Sequence, residues 1–134
     1  MEKNTVYVVA GLVRNNNTYL IAKRNKGDEG AEGKREFPGG KIEPNETKFE
    51  AIKREFKEEF ALDIKPLKEI KNITYNYPTR NINITLIEAE VENLKIDMNQ
   101  YDHSEYKWVS IEDFKNYDFA LADKLFVEFL EKNI

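Results

Sequence analysis

Apolar positions along this chain change period, and the changes mark out its elements. Thr5 to Val13 (TVYVVAGLV) is apolar on both parities, the pattern of a strand covered on both faces. The asparagines at 15–17 supply turn residues before TYLIAKR at 18–24, so a β-hairpin is predicted. Asn25 to Lys34 (NKGDEGAEGK) has three glycines, mixed charge and no period, which predicts a mobile surface loop of the sort that covers sites. Pro38, Gly39, Gly40 and Pro44 punctuate a short extended piece in REFPGGKIEPNE. From Thr47 to Ala61 the period becomes helical, and Phe49, Ile52, Phe56 and Phe60 form one stripe.

Beyond that helix, IKNITYNY at 70–77 and NINITLIEAEV at 81–91 read as strands around the turn PTR. Residues 90–106 form a polar connection to a short strand, KWVS, at 107–110. Ser110 is placed to cap IEDF, with Asp113 three residues on as a short-chain capping-box partner. A closing amphipathic helix from about Leu121 to Glu131 is predicted to bury Leu121, Leu125, Phe126 and Phe129. There is no internal repeat or low-complexity segment. The 134 residues therefore fit one domain, 1–134, long enough to bury a core without disulfide or metal staples.

Composition narrows the chemistry. With 40% hydrophobic and 34% charged residues and a formal net charge of -4, the chain reads as a soluble globular protein. The absence of cysteine excludes disulfides, thiolate metal sites and a cysteine nucleophile, and accords with a cytoplasmic location. His103 is the single histidine, so a multi-histidine zinc site is excluded and carboxylate sites for magnesium, manganese or calcium are left. The apolar run Val6 to Val13 follows Lys3 but is short and has no small-residue cleavage site, so it is read as a strand, not a signal peptide. No run approaches the roughly 20 apolar residues of a membrane span, and no membrane partner is expected. Mild acidity without a clear basic block disfavours nucleic acid polymers while leaving a single nucleotide open.

The predicted central helix carries the chemistry. Glu55, Glu58 and Glu59 in REFKEEF fall within an arc of about 100° at helical spacing, while Lys53 and Lys57 lie on the far side. Such an edge can simply be solvated. Crowded carboxylates repel one another, however, and an adjacent divalent cation is a common way to make the arrangement favourable.

What precedes the acids is more specific. Gly40 is followed by five residues, Glu46, seven residues and then Arg54-Glu55-Phe56-Lys57-Glu58-Glu59-Phe60-Ala61-Leu62. This run resembles the Nudix box, which it matches at Gly40, Glu46, Arg54, Glu55, Phe56, Glu58, Glu59 and Leu62. It departs at Ala61, where the family has a glycine that ends the helix in a left-handed conformation; alanine there should cost roughly 1 kcal/mol or shift the helix end slightly. Around the box, REFPGGKIE, YNYPTRNINITL and the spacing from Trp108 to Asp123 resemble the MutT-like branch.

The resemblance implies an α+β fold, an α/β/α sandwich with a mixed sheet between helices. It implies a magnesium-dependent hydrolase, manganese being the alternative, whose metal is held by Glu55, Glu58, Glu59 and the Gly40 carbonyl. Glu55 is also the implied general base, Arg54 orients the carboxylates, and Glu46 fixes the helix entry. Asn45 suits a tight left-handed turn. A further loop acid is implied before the tryptophan strand: Asp102, six residues before Trp108, is preferred to Glu105. His103 beside it reads as an exposed loop histidine.

MutT-like relatives hydrolyse nucleoside triphosphates to the monophosphate and pyrophosphate, some preferring 8-oxoguanine, in sanitising the nucleotide pool. The resemblance places Arg24, Phe37, Tyr77, Arg80 and Asp123 around base and sugar, although Phe37 and Tyr77 could be core aromatics and Asp123 a helix cap. Asp123 stands where guanine-oxidation-selective relatives have asparagine; ionised, it offers only acceptors, which suits donor-rich edges such as cytosine. Another nucleoside diphosphate derivative as substrate, or a non-catalytic nucleotide sensor, are the alternatives. A monomer or a homodimer fits equally well.

Overall fold

The computed structural model describes residues 4–25 and 33–133, so most of the predicted mobile loop from Asn25 to Lys34, its residues 26–32, lies outside the described residues. Strand β1 (Asn4–Asn15) runs into β2 (Thr18–Arg24) through a turn with Asn16 at φ 57°. Asparagine tolerates that left-handed backbone, which explains the hairpin at NNN. Two short strands, β3 (Arg35–Glu36) and β4 (Gly39–Lys41), lead to helix α1 (Lys48–Phe60). Strands β5 (Ile64–Asn76), β6 (Arg80–Val91) and β7 (His103–Val109) follow, then a 3-10 helix (Ile111–Asn116) and helix α2 (Leu121–Lys132).

The strands form one mixed sheet in the order β3-β2-β1-β6-β5, with β4 added to β1 and β7 to β2. Among the described strands, only β1 and β6 pair in parallel with each other, from Asn4 against Arg80 to Arg14 against Glu90. Alternation along β1 splits the core in two. Val9 and Val13 face α1, where they pack with Ile52, Phe56 and Phe60; Ala10 and Leu12 face the α2 side with Phe37, Phe114 and Phe126. Both parities of β1 are apolar because each face is covered by a helix layer. The fold is the expected α/β/α sandwich.

Helix α1 opens on a capping box. The Thr47 hydroxyl accepts from the Glu50 N–H at 3.1 Å, and the Glu50 carboxylate accepts from the Thr47 N–H at 2.8 Å. It ends at Ala61 with φ 54° and ψ 30°: alanine adopts the left-handed conformation expected of glycine, and its N–H reaches the Lys57 carbonyl at 3.0 Å. Asn45 is also left-handed, at φ 66°. Each of the fully buried Ile52, Phe56 and Phe60 contributes about 1.5–3 kcal/mol of burial.

Several expectations need correction. Phe49 is 37% exposed, and the buried stripe of α1 is Ala51, Ile52, Phe56, Glu59 and Phe60. In α2, Leu121 and Leu125 are 52% and 39% exposed, while Ala122, Phe126, Val127 and Leu130 are buried. Docking against the sheet turned that helix's inner face by one residue from the leucine-led stripe. Ser110 caps no backbone N–H; its hydroxyl bonds the Asp113 carboxylate at 3.0 Å. Strand β5 begins at Ile64, earlier than IKNITYNY, because an edge strand tolerates Pro66 through bulges between Pro66 and Lys68 and between Glu69 and Lys71. Strand β7 begins at His103 because HSEY pairs with β2 despite its polarity.

Candidate active site

The box loop is shaped by two glycines. Gly39 and Gly40 in β4 pair with Ala10 and Val9 in β1. A Cβ on Gly39 would lie 1.9 Å from the Val9 carbonyl oxygen, and one on Gly40 would lie 2.5 Å from Glu55 Oε1. Lack of a side chain therefore lets the loop lie on the strand and leaves the Glu55 carboxylate room against it.

Arg54 ties that loop to the helix. Its Nε and Nη2 donate to the two oxygens of Glu46 at 2.7 and 2.9 Å, a bidentate pair, and Nη2 also donates to the Lys41 carbonyl at 3.1 Å. The Arg54 contact, with the Glu43 N–H second, holds the Glu46 carboxyl down to about 2. Nη1 of Arg54 turns the other way, to Glu55 Oε1 at 3.0 Å and Glu58 Oε1 at 3.3 Å. One guanidinium thus sets the direction of two box acids.

Glu59 is the unusual member, being 6% exposed with no hydrogen-bond partner for Oε2. Burial first, then its contact with Glu55 and the charges of Glu36, Glu55 and Asp102, push its carboxyl up to about 11. Two carboxylates in contact one helical turn apart, one buried with an orphan oxygen, fit a divalent cation.

The strap after β6 brings distant residues to this point. Asp97 and Asn99 donate backbone N–H groups to the last carbonyls of α1, at Phe60 (2.8 Å) and Glu59 (2.7 Å). This occupies helix-end acceptors and delivers Asp102 and His103 to the acids. His103 is 1% exposed, its ring stacked on Phe60 at 5.3 Å and its Nε2 2.7 Å from Glu36 Oε2. The exposed loop histidine of the sequence reading is corrected: pairing of β7 with β2 carries it inside.

Backbone bonds hold the neighbouring part of the cleft. The Arg35 N–H donates to the Asp118 carbonyl at 2.8 Å, and the Ala120 N–H to the Arg35 carbonyl at 2.9 Å. This docks the start of α2 beside β3 and lets Asp123 Oδ1 accept from the Phe37 N–H at 2.9 Å. Removal from water, then the charge of Glu36, push the Asp123 carboxyl well above the ordinary aspartate range.

A cleft of about 940 Å³ joins these groups. Of the residues singled out in the sequence, Gly40, Glu55, Glu58, Glu59, Asp102, Arg24, Phe37, Tyr77, Arg80 and Asp123 all line it. Arg54 does not, although its Nη1 contacts Glu55 and Glu58. Glu105 is absent from the lining and pairs with Arg35 instead. Phe37 is 2% exposed, with its ring packed on Phe114 and Phe119 at 5.5 and 5.4 Å, so it is core as well as cleft wall. Sequence reasoning missed Glu36, which Arg24 Nη1 contacts at 3.3 Å; its signal was the acid inside REFPGG.

A cleft that gathers clustered carboxylates, arginines and the Asp123 carboxyl suits cation-assisted chemistry on an anionic substrate. Residues 4–130 match the model of the NUDIX domain, and the chain belongs to that family, whose hydrolases use divalent metal ions. Within the family it is a MutT-like hydrolase. It is 32% identical over 87 residues to the 8-oxo-dGTP diphosphatase of Proteus vulgaris, covering 63% of this chain and 76% of that protein. It is 28% identical over 118 residues to the CTP pyrophosphohydrolase of Escherichia coli K12, covering 88% and 85%. Among solved structures, the MutT protein from Methanosarcina mazei Go1 superposes with a TM-score of 0.82 at 26% identity, covering 98% of this chain and 94% of that chain. No helix among the described residues is long and apolar enough to cross a membrane.

Proposed function

We propose that this protein hydrolyses nucleoside triphosphates to the monophosphate and pyrophosphate, with magnesium as the working cation, and so clears modified nucleotides from the pool. The observation that carries this reading is the buried Glu59 carboxylate, with an orphan oxygen, beside Glu55 in a cleft that Arg24 and Arg80 also line. The relatives named for 8-oxo-dGTP and CTP support the substrate class.

Glu55, Glu58, Glu59, Asp102 and the Gly40 carbonyl would hold the cation, an all-oxygen set suited to magnesium. When bound, the cation offsets phosphate charge and makes water a better nucleophile near neutral pH. Glu55 is the proposed general base, placed to take the proton of the attacking water while Arg54 holds its Oε1. Arg54 is a positioning residue, because Glu46 fixes its guanidinium in a plane that a lysine could not reproduce.

Arg24 and Arg80 bring positive charge to the nucleotide end, and the Tyr77 ring offers a face to a base. Asp123 reads the base edge. With Oδ1 engaged by the Phe37 N–H, Oδ2 is left for the ligand. A raised pKa keeps that oxygen protonated at higher pH than an ordinary aspartate, and a neutral carboxyl offers both donor and acceptor, as asparagine does. That amends the acceptor-only reading and fits an oxidised guanine as well as a cytosine.

The test is a panel of 8-oxo-dGTP, dGTP, CTP and dCTP with magnesium, scoring pyrophosphate against inorganic phosphate. Pyrophosphate from at least one triphosphate, lost in Glu58→Gln, is expected. A protein that turns over none of them, or whose Glu58→Gln variant keeps the full rate, sinks the proposal.

A further inference from the structure

The box acids have a nitrogen neighbour. His103 Nε2 lies 2.7 Å from Glu36 Oε2, and with a carboxylate as acceptor that ring nitrogen carries the proton and donates. In the neutral ring Nδ1 then presents a lone pair, yet it is buried without a hydrogen-bond partner, as is Glu59 Oε2. Nδ1 stands 3.6 Å from Glu59 Oε1. That gap is too long for a good hydrogen bond. It does match two ligands each about 2.1 Å from one shared ion, which at near-tetrahedral angles sit roughly 3.4–3.6 Å apart. Ligand atoms of Glu36, Glu59 and His103 all lie within 4.8 Å of one another.

The geometry points to His103 Nδ1 as a nitrogen ligand for a divalent transition metal, sharing that ion with Glu59 and oriented by Glu36 through Nε2. A histidine that ligates through one nitrogen and donates the other N–H to a carboxylate is the usual way a ring is held for a metal. Stacking on Phe60 fixes the ring plane as well. Imidazole with carboxylate suits manganese, cobalt or zinc, whereas magnesium prefers oxygen alone. A histidine that merely braced Glu59 would leave Nδ1 and Oε2 buried and unpartnered, the state that buried polar groups avoid. This inference shares Glu59 with the proposed cation site, but it concerns which ion binds and does not depend on which nucleotide is cleaved.

The experiment uses full-length, metal-free protein without nucleotide. Manganese is added and pulsed electron paramagnetic resonance is recorded for 14N coupling. Cobalt and magnesium affinities are then measured by titration and competition. Wild type should show a 14N coupling that His103→Gln lacks. Cobalt affinity should fall at least tenfold in His103→Gln, with magnesium affinity changing less than twofold. Glu36→Gln retains the ring but weakens its orientation and should lower cobalt affinity by roughly tenfold or more.

Absence of 14N coupling in wild type overturns the inference. So does an equal loss of cobalt and magnesium in His103→Gln, which marks a brace, or no loss of either. If His103→Gln does not fold, the wild-type spectrum and Glu36→Gln decide. Pyrophosphate release is not read in any arm, so failure here and failure of the proposed hydrolysis are separable.

Discussion

Glu59→Gln puts the central electrostatic argument at risk. In the metal-free fold the Glu59 carboxyl is pushed up to about 11, while in the unfolded chain it ionises near its ordinary 4.5. Between those values the native state holds a proton that the unfolded state has lost, so stability falls as pH rises. Each pH unit in the window costs about 1.4 kcal/mol, and pH 7.5 lies three units above 4.5, which sets an upper bound of roughly 4 kcal/mol. Relaxation around the buried carboxyl offsets part of that cost, so a gain of about 2–4 kcal/mol is expected for the amide at pH 7.5. Against a total of about 5–15 kcal/mol, that is large. Thermal or urea unfolding with chelator at pH 5, 6.5 and 8 measures it. The variant should match wild type near pH 4.5 and pull ahead with rising pH. Saturating magnesium should stabilise wild type and leave Glu59→Gln nearly unmoved. A variant less stable than wild type at pH 8, or a difference that does not vary with pH, refutes the reasoning.

Gly40→Ala would press its Cβ against the end of a flexible carboxylate at Glu55, so kcat should fall at least tenfold while unfolding free energy changes by under about 1 kcal/mol; equal damage to both would mean that the backbone clashes. Ala61→Gly relieves a left-handed alanine at φ 54° and should stabilise by about 0.5–1 kcal/mol, read as a small rise in Tm. Asp123→Asn retains a donor at every pH, so its KM for 8-oxo-dGTP should be flat where the wild-type KM climbs as Asp123 ionises above the ordinary aspartate range. Parallel KM profiles for the two proteins would contradict a neutral Asp123.

Most of what could be read along the chain was local. The spacing Gly40, Glu46, Arg54, Glu55, Glu58 and Glu59 was legible because loop closure and the 3.6-residue turn bring those groups together within one segment. The capping box is written locally as well, in TKFE, where Thr47 and Glu50 stand three residues apart. Helix faces were less secure. Leu121 and Leu125 looked buried because a hydrophobic stripe gives a direction, while the docked partner decides which residues it covers.

By itself, the sequence determined the hairpin, the central helix, the acids on its edge and the two-sided burial of β1, all matters of period and short-range sterics. Tertiary structure decided that Glu36, Glu59 and His103 meet, that the Asp123 side chain reaches from α2 to the Phe37 N–H, and that Glu105 is drawn away by Arg35. Those residues are separated by tens of positions. Their approach depends on β2–β7 pairing and on backbone N–H groups finding the end of α1, and neither is written in any local pattern of side chains.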